Sequence, residues 1–296
     1  MKAVANEQIS EHSRSRRSRW RGLTHNKSAV AGFVLLALFI TVAVFADQIA
    51  PRDPLKISGE TFEPPSWRFI FGTDDLGRDV LSGVVHGART SLLIAISVAL
   101  LSGAVGVLVG MVAGYAGGLF DDLLMRLTEL FLIPPRFFLA VIIAAVFGSS
   151  FFHLILVLSI TYWPLMARLV RAEVMSLKQR GFVEAARAIG ASPARILGRE
   201  ILPNALPLIV TNLMLKVGGV ILLEAGLEFL GLGDTNHISW GYMLHNGQHF
   251  MRDAWWIIAF PSLAISLLIL ALNLVGDELN RALDPKAHAA SVKEVR

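Results

Sequence analysis

The stretch EAARAIGASPARILGREILPNALP, residues 184–207, separates two apolar runs that are each of membrane-spanning length. Within it, charged residues alternate with alanine, and glycine and proline interrupt the helical pattern. A membrane span needs about 20 mainly apolar residues, and this stretch has no such run. It therefore predicts a short, broken helical hairpin between two membrane-spanning helices.

The first arm of this hairpin carries a shallow apolar stripe. On a helical wheel of residues 182–189 the stripe consists of Phe182, Ala185, Ala186 and Ile189, and Glu184, Arg187 and Ala188 point away from it. Two small side chains at its centre allow close backbone approach, which favours insertion into a groove of a partner protein. The alternative is an amphipathic connector on the membrane surface, whose apolar face is usually bulkier.

The corner of the hairpin has its own signals. Gly190 is typical of a helix C-terminus, and Ser192 followed by Pro193 fits an N-cap and the first position of a second helix. We expect Leu202-Pro203-Asn204 to end that second helix and to begin the next span.

The composition is that of a polytopic membrane protein. The chain has 296 residues, of which 54% are hydrophobic and 17% charged, and its mean hydropathy is +0.58. Soluble domains carry about 25% charged residues. The absence of cysteine excludes disulfides and thiolate metal sites. The net charge of +4 is spread over specific loops rather than gathered in one patch, which argues against nucleic-acid binding.

The apolar pattern predicts six spans. They are Ala29–Ala50, Ser91–Ala116, Leu130–Phe147, Phe151–Leu169, Leu206–Leu223 and Trp255–Val275. We expect Ile133-Pro134-Pro135 to break or kink the third span near its start.

The distribution of lysine and arginine predicts the orientation. The side that holds both terminal tails and the hairpin has 19 such residues, against 6 on the other side. By the positive-inside rule, both termini and the hairpin are expected in the cytoplasm. The apolar run after the basic segment SRSRRSRW is too long for a signal peptide and has no A-x-A cleavage site, so we expect a retained first span.

The long loop on the other side, residues 51–89, contains three aspartates without a metal-site pattern. Asp74, Asp75 and Asp79 do not follow the EF-hand spacing. We interpret them as capping residues, with an additional Asp74–Arg78 pair at i,i+4.

Small and aromatic residues predict how the spans pack. One face of the second span carries Gly103, Gly106, Gly110 and Gly114. Small residues at this spacing let helices approach closely in lipid, so we expect a tightly packed bundle. Trp255 and Trp256 at the start of the sixth span are typical of an interfacial aromatic belt.

The hairpin resembles the EAA loop of ABC importer permeases, whose pattern is E-A-A, three residues, G, nine residues, I-x-L-P. The matching residues are Glu184, Ala185, Ala186, Gly190, Leu202 and Pro203; Glu200 stands at the isoleucine position. The segments FGTDDLGRDVLSGVVHGARTSL (71–92), EAGLEFLGLG (224–233) and LALNLVGDELNRALDPK (270–286) are similar to the C-type permeases of dipeptide, oligopeptide and nickel importers. The resemblance runs from about Trp20 to Lys286.

This resemblance implies an all-α, type I ABC importer permease fold. It implies that the EAA residues form a coupling helix, which docks in a cleft of a cytoplasmic ATPase. The implied partners are a B-type permease in a heterodimer, two ATP-binding subunits and an extracytoplasmic substrate-binding protein, all working at a lipid bilayer. ATP and magnesium would then be bound by the ATPases.

The residues themselves predict no catalytic or metal site. There is no Gly-Lys pair, so a phosphate-binding P-loop is excluded. An intramembrane serine protease would use Ser149 or Ser150 with His153, but no G-x-S-x-G elbow accompanies them. A stand-alone secondary transporter often shows inverted repeats, and none is convincing here.

Two polar residues of the fifth span are candidates for a translocation path. Lys216 lies ten residues into that span, and Asn212 is one turn earlier on the same face. Ionisable residues inside spans are functional candidates by default. The alternative is a lysine that pairs with another subunit or snorkels to the interface. Arg136 follows the proline pair and is expected near the cytoplasmic boundary.

The sequence thus predicts a six-span permease subunit of the prokaryotic plasma (inner) membrane that imports short peptides by alternating access. Nickel chelates, opines, glutathione-like peptides and oligosaccharides are alternative cargoes. The predicted organisation is a cytoplasmic tail (1–29), a first span (30–50), an extracytoplasmic loop (51–89), a five-helix core (90–275) with the coupling loop at about 171–205, and a second tail (276–296).

Overall fold

The computed structural model describes residues 27–148, 150–234 and 236–283. These residues form helices and connecting loops, and their only extended pairings are two isolated bridges in the loop before α3. The helices are α1 Lys27–Val44, α2 Ala46–Ile49, α3 Val80–Ala116, α4 Gly118–Leu132, α5 Arg136–Phe147, α6 Phe151–Leu177, α7 Gly181–Ala188, α8 Pro193–Arg195, α9 Leu202–Phe229, α10 Trp240–Gly247 and α11 Trp256–Leu283. The basic segment and both predicted tails lie largely outside the described residues.

Five helical segments are long and apolar enough to cross a membrane. They are α1, α3, α6, the run Pro193–Phe229 and α11, and α4 with α5 supplies a sixth if that bent pair counts as one span. The segments correspond to the predicted spans but most of them are longer. α3 has 37 residues and begins at Val80, because Asp79 caps it through the Ser82 N–H (2.8 Å).

The third predicted span, Leu130–Phe147, is broken near its start, as expected from Ile133-Pro134-Pro135. Leu130–Leu132 end α4, and α5 leaves at a bend of 84°. Pro134 and Pro135 cause the break, because neither has an N–H to donate and each disfavours helical dihedrals in the residue before it. The 12 residues of α5 cover only about 18 Å along its axis.

The glycine face of α3 is packed as expected. A Cβ on Gly106 would lie 2.7 Å from the Trp163 carbonyl oxygen, and one on Gly110 would lie 2.5 Å from the Ala167 carbonyl oxygen, both on α6. Gly103 instead meets Leu213 of α9, at 2.7 Å. The small residues therefore let α3 contact two neighbouring helices closely.

The loop before α3 is a folded cap rather than a flexible connection. The predicted Asp74–Arg78 pair is present, with Arg78 Nε donating to Asp74 at 2.6 Å. Among the described residues no group of acids and histidines is arranged to hold a metal ion.

Trp255 is half exposed, as an interfacial residue would be, but Trp256 is buried and donates to the Thr73 carbonyl oxygen (3.0 Å). The belt prediction is therefore wrong for Trp256, which anchors the loop.

Candidate coupling surface and translocation path

The hairpin is attached to the bundle by apolar side chains of both arms. Val183 on α7 is fully buried and packs in one cluster with Ile196 and Ile201 of the second arm and with Val174 of α6. Ala186, one turn after Val183, packs partly against the same cluster. The first arm is thus held against α6 and the start of α9.

The apolar stripe of α7 is divided between two surfaces. Ala186 faces the protein's own core, which corrects the prediction of a single docking stripe. Phe182, Ala185 and Ile189 remain exposed, Ile189 at 86%. The division arises because Val183, which the helical wheel left unassigned, lies three residues before Ala186 and turns that side inward. Glu184, Arg187 and Ala188 are also exposed.

The corner has the predicted geometry. Gly190 has φ +77°, a conformation that favours glycine. The Ala191 N–H donates to Ala186 O (3.1 Å) and the Gly190 N–H donates to Arg187 O (3.0 Å), which together form a Schellman motif. Ser192 Oγ then accepts from the Arg195 N–H (3.4 Å) as the cap of α8. These local bonds define the angle between the arms.

The second arm continues into the next span without a stop. The prediction that Leu202-Pro203-Asn204 ends this helix is wrong, because a π turn, Ile196–Ile201, connects α8 to α9. The Leu202 N–H donates to Leu197 O, five residues back, and this wider turn lets the chain pass Pro203 within one helical run. Asn204 Nδ2 donates to Glu200 O (2.6 Å) beside the proline. The arm and the span therefore form one helical run of 37 residues, Pro193–Phe229.

Ile201, the residue after the family's isoleucine position, takes the place of that isoleucine in this chain. Glu200 is only partly buried, whereas Ile201 is fully buried in the cluster around Val183. Leu202 is partly buried and Pro203 is exposed. The widened turn thus lets Ile201 supply the apolar contact.

Ionic contacts that the sequence did not reveal stabilise the end of the bundle that carries the hairpin. Arg171 of α6 forms a two-pronged ion pair with Asp121 of α4, at 2.5 and 2.6 Å. Lys178 Nζ donates to the Tyr115 carbonyl oxygen of α3 (2.6 Å). Arg171 and Lys178 were counted only as loop charges, and Asp121 gave no signal beyond its charge.

A cationic cluster lies inside the bundle. Lys216 Nζ of α9 is buried and has no hydrogen-bond partner among the described residues. The Arg136 guanidinium of α5 lies 4.3 Å from the centre of the Tyr162 ring of α6, and the Tyr162 hydroxyl lies 3.2 Å from the position of a Cβ on Gly219, one turn after Lys216 on α9. Asn212 Nδ2 donates to Leu208 O of its own helix (3.0 Å). Tyr162 thus connects Arg136 to the turn of α9 that follows Lys216, an arrangement that the sequence did not predict.

An acidic cluster lies farther along α9 and was also missed. Glu224 and Glu228 are 1% and 3% exposed. Ser91 Oγ of α3 donates to Glu224 Oε1 (3.2 Å), and the Ser239 hydroxyl and the Tyr242 N–H (3.1 Å) donate to Glu228 Oε2. The sequence signal that could have revealed this cluster is the pair of acids one turn apart in an apolar run.

The protease alternative gains no support from the geometry. Ser150 precedes α6, and no hydrogen bond joins it to His153 in the described part of the chain. Ser149 lies outside the described residues.

Two family models match the chain. One, described as the binding-protein-dependent transport system inner membrane component, covers residues 106–289. The other, the N-terminal transmembrane domain of oligopeptide transport permease C, covers residues 16–65. The first match contains the hairpin and both charged clusters.

Similar proteins agree with these matches. The chain is 39% identical to the di/tripeptide transport system permease protein DppC of Pseudomonas aeruginosa, over 92% of each chain. It is 39% identical to the dipeptide transport system permease protein DppC of Bacillus subtilis, over 90% of this chain and 84% of that one. A probable D,D-dipeptide transport permease, DdpC of Escherichia coli, is 36% identical over 87% of each chain.

A solved structure shares the fold. The inward-facing MetNI methionine ABC transporter aligns with 68% of this chain and 96% of its own chain, with a TM-score of 0.57 and 19% identity. This likeness concerns the helical architecture alone. On the family matches and the relatives, the chain belongs to the binding-protein-dependent inner-membrane permeases of ABC importers, in the C-type branch.

Proposed function

We propose that this chain is the C-type permease subunit of an importer of short peptides. The peptide cargo is supported by the relatives, whose names describe di- and tripeptide permeases. Its partners are a B-type permease, two ATPases that bind ATP and magnesium, and an extracytoplasmic binding protein. The hairpin and both termini lie in the cytoplasm, an orientation supported by the excess of basic residues on that side.

The observation that carries the proposal is the mechanical continuity between the hairpin and the bundle. The exposed part of the α7 stripe, around Ala185, docks in an ATPase groove. Val183 joins α7 to Ile196 and Ile201, which belong to the same helical run as α9. This run has 37 residues and no break in its helical structure, so a displacement of the docked arm is passed to the span.

Substitution of tryptophan for Ala185 tests the docking surface. In the complete importer in proteoliposomes, Ala185→Trp is expected to lower uptake of labelled alanyl-alanine about tenfold or more, since a bulky side chain prevents close approach of the ATPase. Ala188→Trp is the matched control, because Ala188 is exposed on the same short helix but lies off the stripe. Equal uptake by the two variants would contradict the coupling role.

The same proteoliposomes test the cargo class. Labelled alanyl-alanine is expected to accumulate in an ATP-dependent way, and a nickel chelate, an opine, a glutathione-like peptide and an oligosaccharide are not. Accumulation of one of these instead, with none of the dipeptide, would reject peptides as the cargo and leave the coupling role untouched.

A further inference from the structure

We infer that Arg136 and Lys216 together form a binding site for one carboxylate group, the C-terminal carboxylate of a short peptide passing through the permease. The inference rests on the proposed function and adds the chemical group that the path recognises. It starts from a feature that the proposed coupling does not use, a pair of cations inside the bundle without an acidic partner among the described residues.

Three helices build the site. Arg136 is the first residue of α5, Tyr162 lies in α6 and Lys216 lies in α9. The Arg136 guanidinium carbon lies 4.3 Å from the centre of the Tyr162 ring. A guanidinium has five N–H donors, so contact with one aromatic side chain leaves donors for a planar acceptor such as a carboxylate. The Tyr162 hydroxyl lies against Gly219, one turn after Lys216 on α9, so the Lys216 ammonium adds a second positive charge to this region.

The two cations are not neutralised within the part of the chain that the structure describes. No carboxylate there forms an ion pair with either residue. The nearest acid along α9, Glu224, is eight residues beyond Lys216, about 12 Å along the axis, and accepts from Ser91. A buried charge without a partner is costly, so binding of an anion here removes a penalty that the folded chain carries.

A carboxylate at the end of a peptide suits this site better than a side-chain group. Every short peptide with a free C-terminus carries this charge whatever its sequence, so a site for it accepts cargoes with different side chains. Arginine binds carboxylates with two parallel hydrogen bonds, and lysine adds a point charge. The adjoining face of α9 is open at Gly219, which is exposed, and partly open at Asn212.

Charged thiol reagents test the free positive charge. The chain has no cysteine, so Asn212→Cys places a single reactive group one turn from Lys216. In the complete importer with cysteine-free partners, we compare a sulfonate-bearing methanethiosulfonate with its trimethylammonium counterpart. The anionic reagent is expected to react about tenfold faster than the cationic one, because two uncompensated cations attract it. Lys216→Gln is expected to reduce this preference severalfold, and Lys216→Arg to retain it.

Two results would overturn the inference at this stage. Equal rates for the two reagents would mean that a carboxylate of another subunit already neutralises the cations. No reaction with either reagent or with neutral N-ethylmaleimide, with and without ATP, would mean that the site never opens to water. Either result leaves ATP-driven dipeptide uptake, measured in the same proteoliposomes, as an independent test of the proposed function.

Peptide protection tests the chemical group. Alanyl-alanine is expected to slow thiol labelling of the Asn212→Cys variant severalfold, and the same peptide with a C-terminal amide is not, since the amide carries no charge. The protection should disappear when Lys216→Gln is added and persist when Lys216→Arg is added. Equal protection by acid and amide would refute carboxylate recognition even if dipeptide uptake is normal.

Discussion

Two charged residues on the same helix, Glu228 and Lys216, differ in how the chain compensates their burial. Glu228 Oε2 accepts hydrogen bonds from the Ser239 hydroxyl and the Tyr242 N–H, and its neighbour Glu224 accepts one from Ser91 at Oε1 and, in the described chain, none at Oε2. The Lys216 ammonium, on an earlier turn of the helix, has no hydrogen-bond partner in the described chain.

The difference teaches how to separate structural charges from functional ones. A buried polar group that is satisfied by its own chain holds elements together, and removal of one partner leaves the others unpaired. The acidic cluster ties α9 to α3 and to the start of α10 in this way. Our inference for Lys216 is the opposite case, a buried charge that the chain leaves unsatisfied and that a group outside the chain neutralises.

Breaking the acidic cluster is expected to destabilise the protein most. Glu228→Ala leaves the buried Ser239 hydroxyl without its acceptor and removes one of the two acceptors of the Tyr242 N–H, at a cost of about 2 kcal/mol. The loss should appear as a lower thermal unfolding temperature of the purified complex. Glu228→Gln keeps an acceptor oxygen and should cost about 1 kcal/mol or less. An unchanged unfolding temperature in Glu228→Ala would contradict a structural role for Glu228.

Removal of the Lys216 charge is expected to lower transport without lowering stability. Lys216→Met should lower dipeptide uptake about tenfold, equivalent to about 1.4 kcal/mol of lost interaction. Its thermal unfolding temperature should stay equal or rise, because a buried unpaired charge is removed. Uptake and unfolding measured on the same preparation check both parts. A large drop in stability would instead show that Lys216 is a structural residue like Glu228.

The corner of the hairpin should give a smaller effect. Gly190→Ala places a Cβ at φ +77°, at a cost of about 1 kcal/mol. No atom lies near enough to clash with that Cβ, so the cost is one of backbone strain alone. We expect uptake to fall severalfold relative to ATP hydrolysis, because the strain loosens the angle between the arms. Gly198→Ala, at an equally open glycine of the π turn, is the control, and equal ratios in the two variants would contradict the prediction.

The smallest expected effect concerns an acid outside the spans. Burial and the neighbouring Asp74 raise the pKa of Asp75 above its usual value. Because the pKa is raised in the folded state, ionisation of Asp75 lowers the free energy of unfolding when the pH is above the ordinary pKa near 3.8. Below that pH the carboxyl is protonated in both states and the loss disappears. Asp75→Asn should therefore raise the unfolding temperature slightly at pH 7 and not at pH 3. Because Asp75 is partly exposed, solvent screening keeps the gain small. A gain at pH 3 as large as that at pH 7 would exclude this cause.

Local signals in the sequence were reliable where one short segment decides the outcome. The left-handed Gly190, the Ser192 cap, the Asp74–Arg78 pair and the close glycine contacts of α3 were all predicted. Each depends on the dihedral preference, side-chain reach or size of residues within one or two turns. The break at Pro134 and Pro135 was predicted for the same reason, but its 84° angle was not.

Predictions failed where distant segments compete for one residue. The stripe of α7 was assigned as a whole to a partner, yet Val183 draws Ala186 onto the protein's own core. Pro203 was expected to stop a helix, yet the helical run continues past it through a π turn whose first and last residues, Ile196 and Ile201, are buried. Packing energy from other helices decides both outcomes, and it is not visible in a local pattern.

By itself, the sequence determined the membrane class, the number and order of the apolar segments, the hairpin between two of them and the family resemblance. These follow from composition, from hydrophobic run length and from short-range backbone chemistry. Only the tertiary structure decided that Arg136 packs against Tyr162, that Lys216 has no hydrogen-bond partner in the described chain, and that Glu228 accepts from Ser239 and Tyr242. The physical reason is that a charge acquires its role from the groups packed around it, and in this bundle those groups come from other helices.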